Sequence, residues 1–217
     1  FVVFTRRARK GRCFPLRAIS AYERIRQLVS QSLETGQPIH VGMGSGKVGG
    51  EATPEALMGM TLFDYVARRA AAYNQSVLGT TADGTILAAA QGILQRARQE
   101  AGFAERYVGR ELNFYGPEPM VYATGTMDAI TGDPHLANIL MGRFGHEGFW
   151  IAESVQDRGM VQLGGTAAPS AMALMQTTLD ESVIGEEVFA AGAYLHRPTH
   201  LGSLATQDAM RLVAILA

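Results

Sequence analysis

The sequence predicts an α/β protein, a Rossmann-like layered fold with a mostly parallel sheet flanked by helices. Three observations carry that prediction. Short apolar runs of strand length alternate with longer runs of helical periodicity, which is the rhythm of βα units. Glycine and proline punctuate most of the changes between them, and the chain holds 25 glycines. A strand, a glycine loop and a well-signalled helix start also follow one another between residues 39 and 55.

Pro15 precedes a first helix over 16–33, in which Ile19, Tyr22, Ile25, Val29 and Leu33 fall on one stripe. Gly36 is its expected stop. Ile39-His40-Val41-Gly42 reads as a short buried strand. Thr53-Pro54-Glu55 supplies a hydroxyl cap, a first-turn proline and a first-turn acid, so a helix is expected from Thr53 to about Tyr73. Its inner stripe is Ala56, Met60, Phe63, Ala67 and Ala70, and Asp64 can pair with Arg68 one turn on.

Residues 76–80 form a second strand, 85–101 a long apolar helix ended by Gly102, and 112–115 a third strand stopped by Gly116-Pro117. The stretch 120–130 fits strand and helix alike. Residues 137–144 suggest a strand, 149–157 a short helix closed by Gly159, and 160–163 a strand ending in Gly164-Gly165-Thr166. A helix is expected over 182–195, broken by Pro198, and a last one from Ser203 or Thr206.

The chain has 217 residues, 47% hydrophobic and 18% charged, enough for one domain with a sizeable core. A single cysteine, Cys13, rules out an intrachain disulfide. The net charge of −1 hides an asymmetry. Residues 1–27 carry eight basic groups and one acid, and the rest carries eleven basic and nineteen acidic groups. An acidic body argues against nucleic acid as a partner.

Phe1-Val2-Val3-Phe4 is followed at once by the basic cluster Arg6, Arg7, Arg9, Lys10 and Arg12. That is the pattern of a membrane segment emerging on its cytoplasmic side. The apolar run 212–217 reads as the first turns of another such segment. Neither run approaches the roughly 20 residues a bilayer demands, so a buried strand and a core helix end are the alternatives. The expected organisation is a membrane end and basic tract over 1–12, a soluble α/β domain over 13–205, and a helix over 206–217 leading into a second apolar segment. The soluble domain would face the cytoplasm, with membrane lipid met through the flanks.

The most suggestive loop is Gly42-Met43-Gly44-Ser45-Gly46-Lys47-Val48-Gly49-Gly50. Gly44, Gly46 and Gly49 match the spacing of the dinucleotide fingerprint, in which tight turns let backbone N–H groups face a phosphate. The candidate ligand-binding residues are Gly44, Ser45, Gly46, Lys47 and Gly49. The fit is incomplete. The helix begins at Thr53, after the last glycine, and the acid expected after the second strand is at best Asp83. A Walker motif fails because positions 41 and 48 are valine.

His196 and His200 have the spacing of a zinc pair, but Pro198 lies between them. His146-Glu147 opens a helix after a strand, where Asp128, Asp133, His135 and Glu153 would have to be gathered by the fold to make a site. The blander reading is a solvent-facing histidine beside a helix-capping acid. Ser45 lacks the glycines a nucleophile elbow needs at 43 and 47. No catalytic constellation, metal centre or cofactor is indicated.

The stretch from Gly42 through Ala193 resembles the soluble part of an uncharacterised family of bacterial membrane proteins. The residues carrying the resemblance are Phe149-Trp150-Ile151-Ala152-Glu153-Ser154, Gly164-Gly165-Thr166-Ala167-Ala168-Pro169-Ser170 and Ile184-Gly185-Glu186-Glu187. It implies a soluble domain set between hydrophobic segments and brings no catalytic residues. Two functions follow as expectations. The first is a membrane-tethered, self-associating module without catalysis, aided by the small-residue runs Ala88-Ala89-Ala90 and Ala190-Ala191-Gly192-Ala193. The second is a nucleotide- or phosphate-binding domain using the loop 42–50.

Overall fold

A computed structural model describes residues 18–106 and 109–195. Six parallel strands form one sheet in the order β3-β2-β1-β4-β5-β6. In chain order the strands are β1 (Ile39–Gly44), β2 (Leu78–Thr81), β3 (Leu112–Phe114), β4 (Ala137–Arg143), β5 (Val161–Thr166) and β6 (Glu181–Ile184). The helices are α1 (Ser20–Thr35), α2 (Thr53–Ala72), α3 (Gly84–Glu100), α4 (Pro119–Gly132), α5 (Glu147–Glu153), α6 (Pro169–Met175) and α7 (Ala191–Leu195). The chain winds outward from β1 to β3, crosses back through α4, and continues from β4 to β6. This is the doubly wound order, with its topological switch between β1 and β4, and it is the layered α/β class the sequence predicts.

Local chemistry explains the elements. Gly36 ends α1 in the left-handed region at φ 75°, donating to the Ser32 carbonyl at 2.9 Å. At the end of α2, Asn74 takes φ 57°. Its N–H reaches the Ala71 carbonyl at 3.0 Å, while that of Gln75 reaches Ala70 at 2.9 Å, a Schellman closure that asparagine tolerates. Asp83 caps α3 by accepting from the N–H groups of Thr85 and Ile86, both at 2.9 Å. On α2, Arg68 donates to Asp64 at 2.9 Å as the spacing predicts, and also meets Glu100 of α3.

Two cores lie on the two faces of the sheet. Helices α1, α2, α3 and α7 pack Tyr22, Ile25, Leu62, Phe63 and Ile86 against Val41, Met43, Ile139 and Met141. Helices α4, α5 and α6 pack Tyr122, Ile130, Ile151 and Met175 against Leu140 on the other face. Most of the stripe expected of α2 is buried, although Met60 is only half-buried.

Several expectations are corrected. The ambiguous stretch 120–130 is helical, within α4. Residues 181–184 form β6, not the start of a helix: Leu163 pairs with Glu181 and Gly165 with Val183, and Gly185 at φ 55° then turns the chain. Gly164 and Gly165 lie inside β5, where an added Cβ would press on the Leu140 and Val183 carbonyls. The helix α6 had no counterpart in the sequence reading. Ala88 and Ala89 are exposed, but Ala190, Ala191 and Gly192 are buried within the domain and present no surface. The basic cluster Arg6, Arg7, Arg9, Lys10 and Arg12, Cys13, the His196–His200 pair and the last helix lie outside the described residues.

Candidate functional site

In an open parallel sheet, ligands bind outside the carboxyl ends of the strands at the topological switch. Here that place lies between the end of β1 and the end of β4. Gly44, Ser45 and Gly46 leave β1 there, and Arg143, Phe144 and Gly145 leave β4.

The glycine loop lies across this seam. Gly44 adopts φ 83°, and a side chain on it would collide with the Arg143 carbonyl oxygen. Beside it, the Ser45 N–H donates to that same oxygen at 2.9 Å. Further along, the Gly49 and Gly50 N–H groups donate to the Thr53 hydroxyl at 2.9 and 3.1 Å. These amides, the ones a phosphate cradle draws on, are bonded within the protein. Lys47 and Gly49 are exposed, whereas Gly44 and Gly46 are buried.

Two carboxylates close the seam, one from the helix layer on each face of the sheet. Glu147, at the start of α5 and only 3% exposed, accepts from the Ser45 hydroxyl at 2.6 Å and the Gly145 N–H at 2.8 Å. Glu55, in the first turn of α2 and 5% exposed, accepts from Arg143 Nη1 at 3.2 Å and the Thr166 hydroxyl at 3.4 Å. Thr166 accepts in turn from the Phe144 N–H at 3.3 Å. An anion held by a helix start and a glycine loop is the usual tenant of such a seam. In this protein the loop's serine and the Gly145 amide are held by a carboxylate of the chain itself.

A line of buried polar side chains leads to the seam from across the sheet. His40 Nδ1–H donates to Asn138 Oδ1 at 2.7 Å, and the Asn138 amide donates to Gln162 Oε1 at 3.3 Å. On the other side the Thr80 hydroxyl donates to His40 Nε2 at 2.9 Å, and the Tyr122 hydroxyl donates to Thr80 at 3.2 Å. Tyr122 then accepts the Gly44 N–H at 3.4 Å. Gly42 makes room, since a Cβ there would sit 2.7 Å from Leu140 Cδ2 and 3.2 Å from the Tyr122 hydroxyl. The acceptor on one side of His40 and the donor on the other define one neutral tautomer. Burial lowers the His40 pKa to about 3 against the help of Asn138, and raises Tyr122 to about 12.

The remaining sequence candidates scatter. His146 faces solvent while Glu147 is buried, and Asp128 and Glu153 are exposed. His135 and Asp133 precede β4 and lie at the amino end of the sheet, away from His146. Asp83 caps α3. Among the described residues no group of three or more His, Cys, Asp or Glu could hold a metal ion, and no helix is long and apolar enough to cross a membrane. The sequence reading missed Glu55, Arg143, Thr166, Tyr122 and His40, each of which has a partner 40 to 111 residues away.

A family model described as a domain of unknown function, DUF6754, matches residues 1–217, the whole chain. The chain belongs to that family. No curated protein and no solved structure matches it. For this DUF6754 domain the resemblance noted from the sequence therefore stands as membership of an uncharacterised family.

Proposed function

We propose that the domain is a non-catalytic association module, tethered to a bacterial membrane on its cytoplasmic side. The observation that carries the reading is the internal occupancy of the β1–β4 seam. Glu147 and Glu55 take up the hydrogen bonds that a ligand or substrate would need at the switch point, and releasing them would leave buried carboxylates uncompensated. Association is supported by apolar side chains left exposed on the three helices of one face: Val121 on α4, Trp150 on α5 and Leu174 on α6. Tethering is supported by the basic cluster Arg6–Arg12 of the sequence.

Sedimentation of the chain over a hundredfold range of concentration tests this. Association that rises with concentration and weakens in Trp150→Glu is expected, and a monomer throughout would sink the reading. The alternative, a nucleotide or phosphate bound by Gly44, Ser45, Gly46, Lys47 and Gly49, is favoured by the loop's place at the switch point. A thermal-shift panel with nucleotides separates the two. Saturation at about a hundred times Kd would add about 2.7 kcal/mol, and such a shift, lost in Lys47→Ala, would replace the association module with a ligand-binding domain.

A further inference from the structure

The two helix layers of the sheet carry different charge. Helices α4, α5 and α6 hold three acids, Asp128, Glu147 and Glu153, and neither lysine nor arginine. Glu147 is turned inward to Ser45, whereas Asp128 and Glu153 are exposed, as is Glu118 just before α4. Helices α1, α2 and α3 of the other layer hold six arginines against five acids. Two of those arginines are engaged within the domain: Arg98, 3% exposed, donates to Glu111, just before β3, at 2.6 Å, and Arg68 pairs with Asp64.

On the α4–α6 face the acids stand among apolar side chains. Val121, Thr124 and Asp128 are all exposed and share one stripe of α4, at i, i+3 and i+7. Trp150 and Glu153 lie one turn apart on α5, and α5 packs against both α4 and α6, which brings Leu174 into the same surface. The Trp150 indole is about half exposed and meets Phe149 edge-on, with ring centroids 5.4 Å apart. Arg158, beyond α5, donates to the Thr131 carbonyl at 2.8 Å and is held at the end of α4.

Such a face rejects its own image. A two-fold contact sets one patch against the same patch, and Glu118, Asp128 and Glu153 would then meet like charges. Anionic lipid and nucleic acid are disfavoured on the same ground. An apolar segment that also carries arginines fits, because a guanidinium can lie over the indole while pairing with Glu153. The chain itself holds such a stretch: Phe1-Val2-Val3-Phe4 followed by Arg6, Arg7, Arg9, Lys10 and Arg12. It joins the described domain at α1, in the layer opposite α4–α6, so the sheet stands between that junction and the acidic face of the same chain. A neighbouring copy presents its acidic face without that detour.

We propose that the α4–α6 face binds residues 1–12 of a second copy. The apolar start of that stretch lies against Val121, Trp150 and Leu174, and its cations meet Glu118, Asp128 and Glu153. This contact presupposes the self-association read from the same face, and it names the surface that the face takes hold of. It is heterologous, so each copy gives one stretch and receives another. Tethering to one membrane would favour it by raising the local concentration of neighbours.

Sedimentation of the full chain at about 0.05 M and about 0.5 M salt tests this. Two variants are run beside the wild type. The tract variant combines Arg6→Gln, Arg7→Gln, Arg9→Gln, Lys10→Gln and Arg12→Gln; the face variant combines Glu118→Gln, Asp128→Asn and Glu153→Gln. The face positions are exposed, and circular dichroism checks that each variant is folded. The wild type should associate at low salt and about tenfold or more weakly at high salt, and each variant alone should associate about tenfold or more weakly at low salt. An equimolar mixture of the two variants should recover pairs that grow no further, because one supplies an intact face and the other an intact tract. Association unchanged or strengthened in the tract variant would overturn the proposal and leave the association reading standing. So would a mixture no better than its components. A wild type monomeric at every concentration would instead remove the association reading, and this contact with it.

Discussion

Acid should destabilise this domain earlier than its carboxylates alone would dictate, and His40 is the reason. In the unfolded chain the imidazole takes up a proton near pH 6.5; in the fold, burial holds its pKa at about 3. Between those values the unfolded state binds more protons, so stability falls as pH falls through that window, by up to roughly 1.4 kcal/mol per pH unit. Going from pH 7.5 to pH 5 the loss from this one group is about 2 kcal/mol, a large part of the margin of a typical domain. The geometry gives the same sign. A protonated ring would have to donate from Nε2, where Thr80 is the donor now. The assay is urea unfolding at both pH values for the wild type and for His40→Gln, which has no titrating ring. Carboxylates and His135 contribute to both proteins and cancel in the difference. The wild type should lose about 2 kcal/mol more than the variant. Equal losses, or an imidazole ¹⁵N titration with its midpoint near 6.5 in the folded protein, would refute the argument.

Two further outcomes follow from features at the two ends of the strands. Gly44→Ala should cost about 3 kcal/mol or more in urea unfolding, combining left-handed strain with the collision at Arg143, whereas Gly49→Ala, at φ 101° in open space, should cost only about 1 to 2 kcal/mol. Similar costs at the two positions would mean that the loop does not press on β4. Arg98→Met should destabilise by about 3 to 5 kcal/mol because Glu111 is left buried without a partner, and Arg98→Met with Glu111→Met should recover most of that. A double variant no better than the single one would show that the pair's attraction, not its mutual desolvation, dominates.

The fold was legible where the signal was local. Thr53-Pro54-Glu55 marked the start of α2, Gly36 the end of α1, and the apolar run at 137–144 marked β4, because turn chemistry and burial patterns are written within a few residues. The hydroxyl cap expected of Thr53 is not made: Ala52 is the N-cap, and the Thr53 hydroxyl bonds the Gly49 and Gly50 N–H groups of the preceding turn instead. Legibility failed where the deciding partner was distant. Glu181-Ser182-Val183-Ile184 carries no strand signal strong enough to outweigh its helical neighbours, and it is a strand because β5 offers an edge. Gly164 and Gly165 looked like a turn because nothing nearby in sequence reveals the carbonyls that crowd them. The site divides in the same way. The loop Gly44–Gly49 stood out by composition, but its meaning depends on Glu147, 102 residues from Ser45, and on Arg143. No spacing rule joins such residues; only the crossover through α4 does.

The polar line through Gln162, Asn138, His40 and Thr80 also bears on how the sheet assembles. Parallel strands pair late and between distant segments, and an apolar strand slides past an apolar neighbour at little cost. His40 opposite Asn138, and Asn138 opposite Gln162, break that indifference. A slip of one residue turns each of these side chains to the other layer, and a slip of two strands it against hydrocarbon, at about 1 to 3 kcal/mol for every group left without a partner. The line thus acts as a combination lock on four strands: misaligned sheets are penalised at several positions together, and only one alignment closes every bond.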